Sequence, residues 1–163
     1  MGAVAEPSVV PEGWSVYRHP AGLFALAYPE GWRALEPKSD VACFCMAGPG
    51  ERYFFEVMAL GIPEDKRDHP ARVIRRMLLD SLRDQHGDKL RVFGDFETSG
   101  DGVRLVVETP GDAPGARFKA VTDYFLNSNA TVVITINFKA VSRDYKRLAP
   151  LFENIARTLA LGA

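Results

Sequence analysis

From residue 14 onward, apolar and polar positions alternate in short runs divided by turn residues. Residues 15–19 and 23–28 flank Pro20-Ala21-Gly22, which predicts a hairpin. Runs at 41–46 and 53–60 follow, joined by Gly48-Pro49-Gly50, and Gly61-Ile62-Pro63 ends the second. The period then changes. Val73, Ile74, Met77, Leu78 and Leu82 recur at helical spacing, with Asp68 as a cap, Pro70 in the first turn and Gly87 as a stop. This predicts a helix over 70–86. Four further strands are expected at 90–98, 103–109, 117–126 and 131–138. In the last of these Val132, Ile134, Ile136 and Phe138 share one face. Thr131, Thr135 and Asn137 share the other, interrupted by Val133, so that face is expected to be half covered. Leu148, Leu151, Phe152, Ile155 and Leu159 mark a closing helix over roughly 143–160. Ser142 would cap it. Pro150 should divide it into a short turn and a main helix starting near Ala149.

Strands, helix, strands, helix is the order of an α+β domain. Short hairpin connections make the strands antiparallel. Several strands are apolar on both faces: Tyr53, Phe55 and Val57 oppose Phe54, Met58 and Leu60. Covering both faces takes a helix on each side, so the expected architecture is an antiparallel β-sheet in a three-layer α/β/α sandwich. Residues 1–13, with Pro7, Pro11 and Gly13, read as a flexible N-terminal tail, and 14–163 as a single domain.

The chain has 163 residues, of which 47% are hydrophobic and 25% charged, so it can bury a core without disulfide or metal support. The net charge of −1 gives no whole-molecule attraction to nucleic acid or an anionic membrane. The first residues have neither a basic start nor a long apolar run, and no stretch is long enough for a membrane span. As it stands the chain reads as cytoplasmic, a reading that a removed export signal would change.

One stretch is distinctive: FALAYPEGW, residues 24–32. Phe24, Leu26 and Tyr28 would share a strand face, Pro29 would end pairing, and Gly31 would let Trp32 fold over the end of the core. A corner of the form Phe-x-x-x-Tyr-Pro-x-x-Trp, carried here by Phe24, Tyr28, Pro29, Gly31 and Trp32, resembles the Mog1/PsbP-like family. The strand pair around Tyr124 and the helix with Phe152-Glu153-Asn154-Ile155 are similar too. The resemblance runs from about Trp14 to Leu159. It implies a non-enzymatic accessory or chaperone-like domain with another protein as partner. PsbP-like proteins are photosystem II subunits, Mog1-like proteins bind a small GTPase, and related bacterial domains include lipoproteins. It carries no functional residue over to this chain.

The candidate chemistry is sparse. Cys43 and Cys45 would share a strand face, but no second cysteine pair completes a metal site, so core packing is expected. His19 and His69 precede prolines, and His86 suits a helix end. None has a nucleophile motif beside it. Gly48–Gly50 links strands rather than opening a helix, and the glycines at 111 and 115 lack a phosphate-loop ending. Asp95 and Glu97 would share a strand face, most simply its wet side. Arg72, Arg76 and Arg83 share one helix face, which could meet an anionic protein partner, although Asp80 and Asp84 dilute its charge. No catalytic, cofactor or metal residues are expected. A second expectation is a small-ligand pocket between sheet and helix, motivated by the aromatics Tyr53, Phe54, Phe55, Phe118, Tyr124 and Phe125.

Overall fold

A computed structural model describes residues 6–35, 42–66, 70–97, 103–111, 116–126 and 131–162. Among these residues ten strands make two antiparallel sheets, and two α-helices pack against them. Hairpin β1 (Trp14–Arg18) and β2 (Phe24–Pro29) belongs to a three-stranded sheet completed by β10 (Ala160–Leu161). The larger sheet holds β3 (Arg33–Ala34), β4 (Ala42–Ala47), β5 (Tyr53–Gly61), β6 (Arg91–Glu97), β7 (Val103–Pro110), β8 (Arg117–Leu126) and β9 (Val132–Val141). Its strand order is β3-β4-β5-β9-β8-β7-β6. The long β9 therefore sits at the centre, between β5 and β8, and is apolar on one face throughout.

Helix α1 (Pro70–His86) packs on β7 and β8, while α2 (Ser142–Arg157) packs on β9, β8 and β2. They cover opposite faces of the large sheet. On the α2 face Phe55, Val57, Ile134, Ile136 and Phe138 meet Phe24 and Leu26 of β2 and Leu148, Phe152 and Ile155 of α2. On the α1 face Leu105, Val107, Tyr124 and Val133 meet Ile62 and Leu79. The chain is thus an α+β three-layer sandwich, as the two-faced apolar strands require.

Three details depart from the sequence reading. The opening hairpin does not extend the main sheet. It forms its own small sheet with β10, because Ala160 and Leu161 leave α2 and pair with Ala25 and Phe24. Residue 160 is strand, not helix. Second, α2 runs unbroken through Pro150. Pro150 is exposed, and the apolar face carried by Leu148, Phe152 and Ile155 holds the helix together around it. Val141, not Ser142, occupies the cap position, with no side-chain cap bond. Third, the inward stripe of α1 is rotated from the one expected. Leu79 is buried, with Arg75, Leu78, Leu82 and His86 half-buried on the same spacing, whereas Met77 is 65% exposed.

The FALAYPEGW corner folds as expected. Phe24 and Leu26 are fully buried, Gly31 has φ +88°, and Trp32 packs its ring 5.3 Å from Tyr53 and 5.4 Å from Phe55. An L side chain at Gly31 would be strained at that φ. Pro29 is the last residue of β2, paired with Trp14, rather than the first beyond it.

Candidate functional site

The α1 face of the large sheet carries a cavity of about 510 Å³. That lies within the range of roughly 300–1,000 Å³ typical of small-molecule sites. Its floor is one row across the sheet: Met58 of β5, Thr135 of β9 and Tyr124 of β8 are successive register partners. Leu60, two residues along β5, widens the floor. Its roof is α1, through Val73, Met77 and Leu78. Gly61 at the end of β5 and Ile62 and Pro63 after it close one end, and the Ile62 N–H donating to the Thr131 carbonyl at 2.9 Å pins that segment. Gly61, Pro63 and Met77 are the exposed members of the lining, so the mouth lies on their side.

Among the described lining residues only Tyr124 and Thr135 have polar side chains. They are 1% and 0% exposed, and neither hydroxyl has a hydrogen-bond partner. Burial pushes the Tyr124 phenol up in pKa, and the positive charge of Arg75 opposes that push. Arg75 stands four residues before Leu79 and three before Leu78, on the inward stripe of α1. It belongs to the pocket side of the helix, not to the basic face.

Of the aromatics expected to line a pocket, only Tyr124 is found in it among the described residues. Phe55 belongs to the core on the opposite sheet face, with Tyr53 and Phe125 packed against that core. Phe118 lies on the α1 face, with the Lys139 ammonium 4.6 Å from its ring centroid. The row beside the pocket floor is polar. Cys45, Glu56, Asn137 and Thr122 are successive partners, with Cys45 Sγ donating to Glu56 Oε2 at 3.2 Å and Thr122 Oγ1 to Asn137 Oδ1 at 3.1 Å. Cys45 is therefore half-buried beside a carboxylate rather than packed in the apolar core expected for it. Cys43 falls at a register shift between Ala42 and Phe44, and its side chain lies outside the described residues.

The remaining candidates are placed as follows. Arg76 and Arg83 are exposed on α1, and the Arg72 side chain lies outside the described residues. His19 stands in the β1–β2 turn. Its Nδ1 accepts the Ala21 N–H at 3.1 Å, and burial lowers its pKa. His86 ends α1, and His69 lies outside the described residues, as do the side chains of Asp95 and Glu97 on β6. Gly48-Pro49-Gly50 is a turn between β4 and β5, with Pro49–Glu51 forming one 3₁₀ turn. Among the described residues no three His, Cys, Asp or Glu side chains gather to hold a metal, and no helix is long and apolar enough to cross a membrane.

No protein-family profile and no curated protein matches the sequence. Solved structures do. Cyanobacterial PsbP (CyanoP) from Synechocystis superposes with a TM-score of 0.66 at 15% identity, covering 94% of this chain and 95% of that one. The Ran-binding protein Mog1p of Saccharomyces cerevisiae gives 0.61 at 9% identity over 91% and 95%. LpqN of Mycobacterium tuberculosis, described as involved in cell envelope biogenesis, gives 0.58 at 14% over 98% and 91%. Identities this low establish shape and not activity. The corner at Phe24–Trp32, the two helices and the antiparallel meander together give this chain the Mog1/PsbP-like fold.

Proposed function

We propose that this chain is a non-enzymatic binding domain whose working site is the pocket under α1, and that the pocket takes a small, largely apolar molecule. The observation that carries this reading is the apolar cavity of about 510 Å³ between α1 and the sheet, walled by Met58, Leu60, Val73, Met77 and Leu78. Close-packed interiors leave few voids larger than a water molecule, so an opening of this size is a feature of the fold and not slack in it. The test is thermal unfolding against apolar probes. At a hundredfold excess over Kd a ligand adds about 2.7 kcal/mol to stability. For a domain of this size that raises the melting temperature by roughly 5–10 °C. Val73→Trp, which fills the cavity from the roof, should abolish the shift. If no apolar probe raises the melting temperature of the wild-type chain, the pocket is not a ligand site.

A second reading is a protein-interaction domain, supported by the likeness to Mog1p, itself a Ran-binding protein. The outer side of α1 would present Arg76 and Arg83, with Arg72 on the same helical spacing, to an acidic protein surface. Exposed Met77 and Val92 would add apolar contact. Arg76→Glu with Arg83→Glu should then abolish capture of a partner from source lysate while leaving pocket binding intact. Capture unaffected by that charge reversal would rule out this face.

A further inference from the structure

We propose that the pocket takes its ligand head first: an apolar molecule ending in a carbonyl or carboxyl oxygen, held at the floor by the hydroxyls of Tyr124 and Thr135. This rests on the reading of the pocket as a ligand site and adds the chemistry and orientation of what enters it. Buried hydroxyls are almost always hydrogen-bonded, and Phe and Val would fill the same two positions without leaving an oxygen unpaired. Both oxygens are buried and without a partner, side by side on neighbouring strands. Directly opposed residues in an antiparallel pair have Cβ atoms about 5 Å apart, so the two side chains rise side by side from the floor, the phenol reaching further toward α1 than the threonine Oγ1.

The rest of the lining dictates orientation. Met58 completes the same row, and Leu60, Val73 and Leu78 surround it with apolar surface. The exposed lining residues Gly61, Pro63 and Met77 mark the mouth, and the two hydroxyls belong to the most deeply buried polar side chains among the described lining residues. The polar end therefore goes in first and the apolar body trails toward Met77, a flexible side chain suited to irregular apolar contact. Both hydroxyls can donate to an acceptor head, and since hydroxyls also accept, the choice of head falls to the charge nearby. The positive charge of Arg75, felt at the Tyr124 hydroxyl, favours an electron-rich oxygen and disfavours an ammonium.

Calorimetric titration of the intact chain with octanoate, methyl octanoate, octane and octylamine tests this. Octanoate and methyl octanoate should bind tenfold or more tighter than octane, roughly the worth of two hydrogen bonds, and octylamine should bind no better than octane. Tyr124→Phe with Thr135→Val keeps the shape of both side chains. It should leave the octane affinity unchanged and bring the other two down to it. The same double substitution should leave the ligand-free melting temperature unchanged or higher. Equal affinity for octane and octanoate, unaltered in the double variant, would overturn the head-first assignment and leave the apolar pocket standing. A ligand-free double variant melting well below wild type would overturn it too, because the hydroxyls would then be part of the fold's own bonding. Failure of every probe to bind would remove both the assignment and the pocket reading beneath it.

Discussion

Arg104 is held from two sides on the α2 face of the large sheet. Its Nε donates to Asp123 Oδ1 at 2.6 Å and its Nη2 to Asp123 Oδ2 at 2.8 Å, while Nη1 lies 3.0 Å from Glu153 Oε1 of α2. The Asp123 side chain is 5% exposed and that of Arg104 23%, so water screens this pair poorly. Arg104→Met should cost about 3–5 kcal/mol in urea unfolding, because it leaves a buried carboxylate alone. Adding Asp123→Leu should recover most of the loss. A double variant no more stable than the single one would show that the stranded charge was not the cause. Trp32 acts through area instead. It is half-buried against Tyr53 and Phe55, so Trp32→Ala should cost about 3 kcal/mol, the lower end of the range for large aromatics. A variant as stable as wild type that had lost only binding would make the corner a site and not a structural joint.

At the scale of elements, periodicity and turn chemistry were sufficient for most of the chain. The 70–86 helix and the strands from β4 to β9 follow from period and breakers alone. What failed is instructive. Pro150 argues locally for a helix start, yet α2 continues through it from Ser142 to Arg157. The amphipathic face burying Leu148, Phe152 and Ile155 outweighs one missing hydrogen bond. Pro150→Ala should therefore stabilise the domain by about 2 kcal/mol, the helix-interior gain of about 3 kcal/mol less roughly 1 kcal/mol of entropy returned to the unfolded chain. Loss of stability would mean that Pro150 fixes a bend the packing needs. The rotation of α1 has a similar lesson. Met77 fits an apolar stripe by type, but the stripe that docks runs through Arg75, Leu78, Leu79 and Leu82. An arginine on an inward stripe is read as surface until the strand beneath it is known.

For the whole molecule, the sandwich was legible because two-faced apolar strands require two covering layers. The split into two sheets was not, since it depends on β10 returning to β2, a pairing no local pattern encodes. The pocket was half legible: its position between sheet and helix follows from the layer order. Its floor does not, because Tyr124 and Thr135 become neighbours only through the β8–β9 register, and their lack of partners only through α1. The return of β10 also has a consequence for how the chain is made. Ala27 N–H donates to Thr158 Oγ1 at 2.8 Å, Gly162 N–H donates to the Leu23 carbonyl, and the first of these joins residues 131 apart. On the ribosome, β2 emerges before the large sheet and both helices, and the segment that clips it emerges after them. The apolar side of the first hairpin, with Phe24 and Leu26, is completed only once α2 has been made, and the pairing of β10 with β2 closes the longest loop among the described strand pairs.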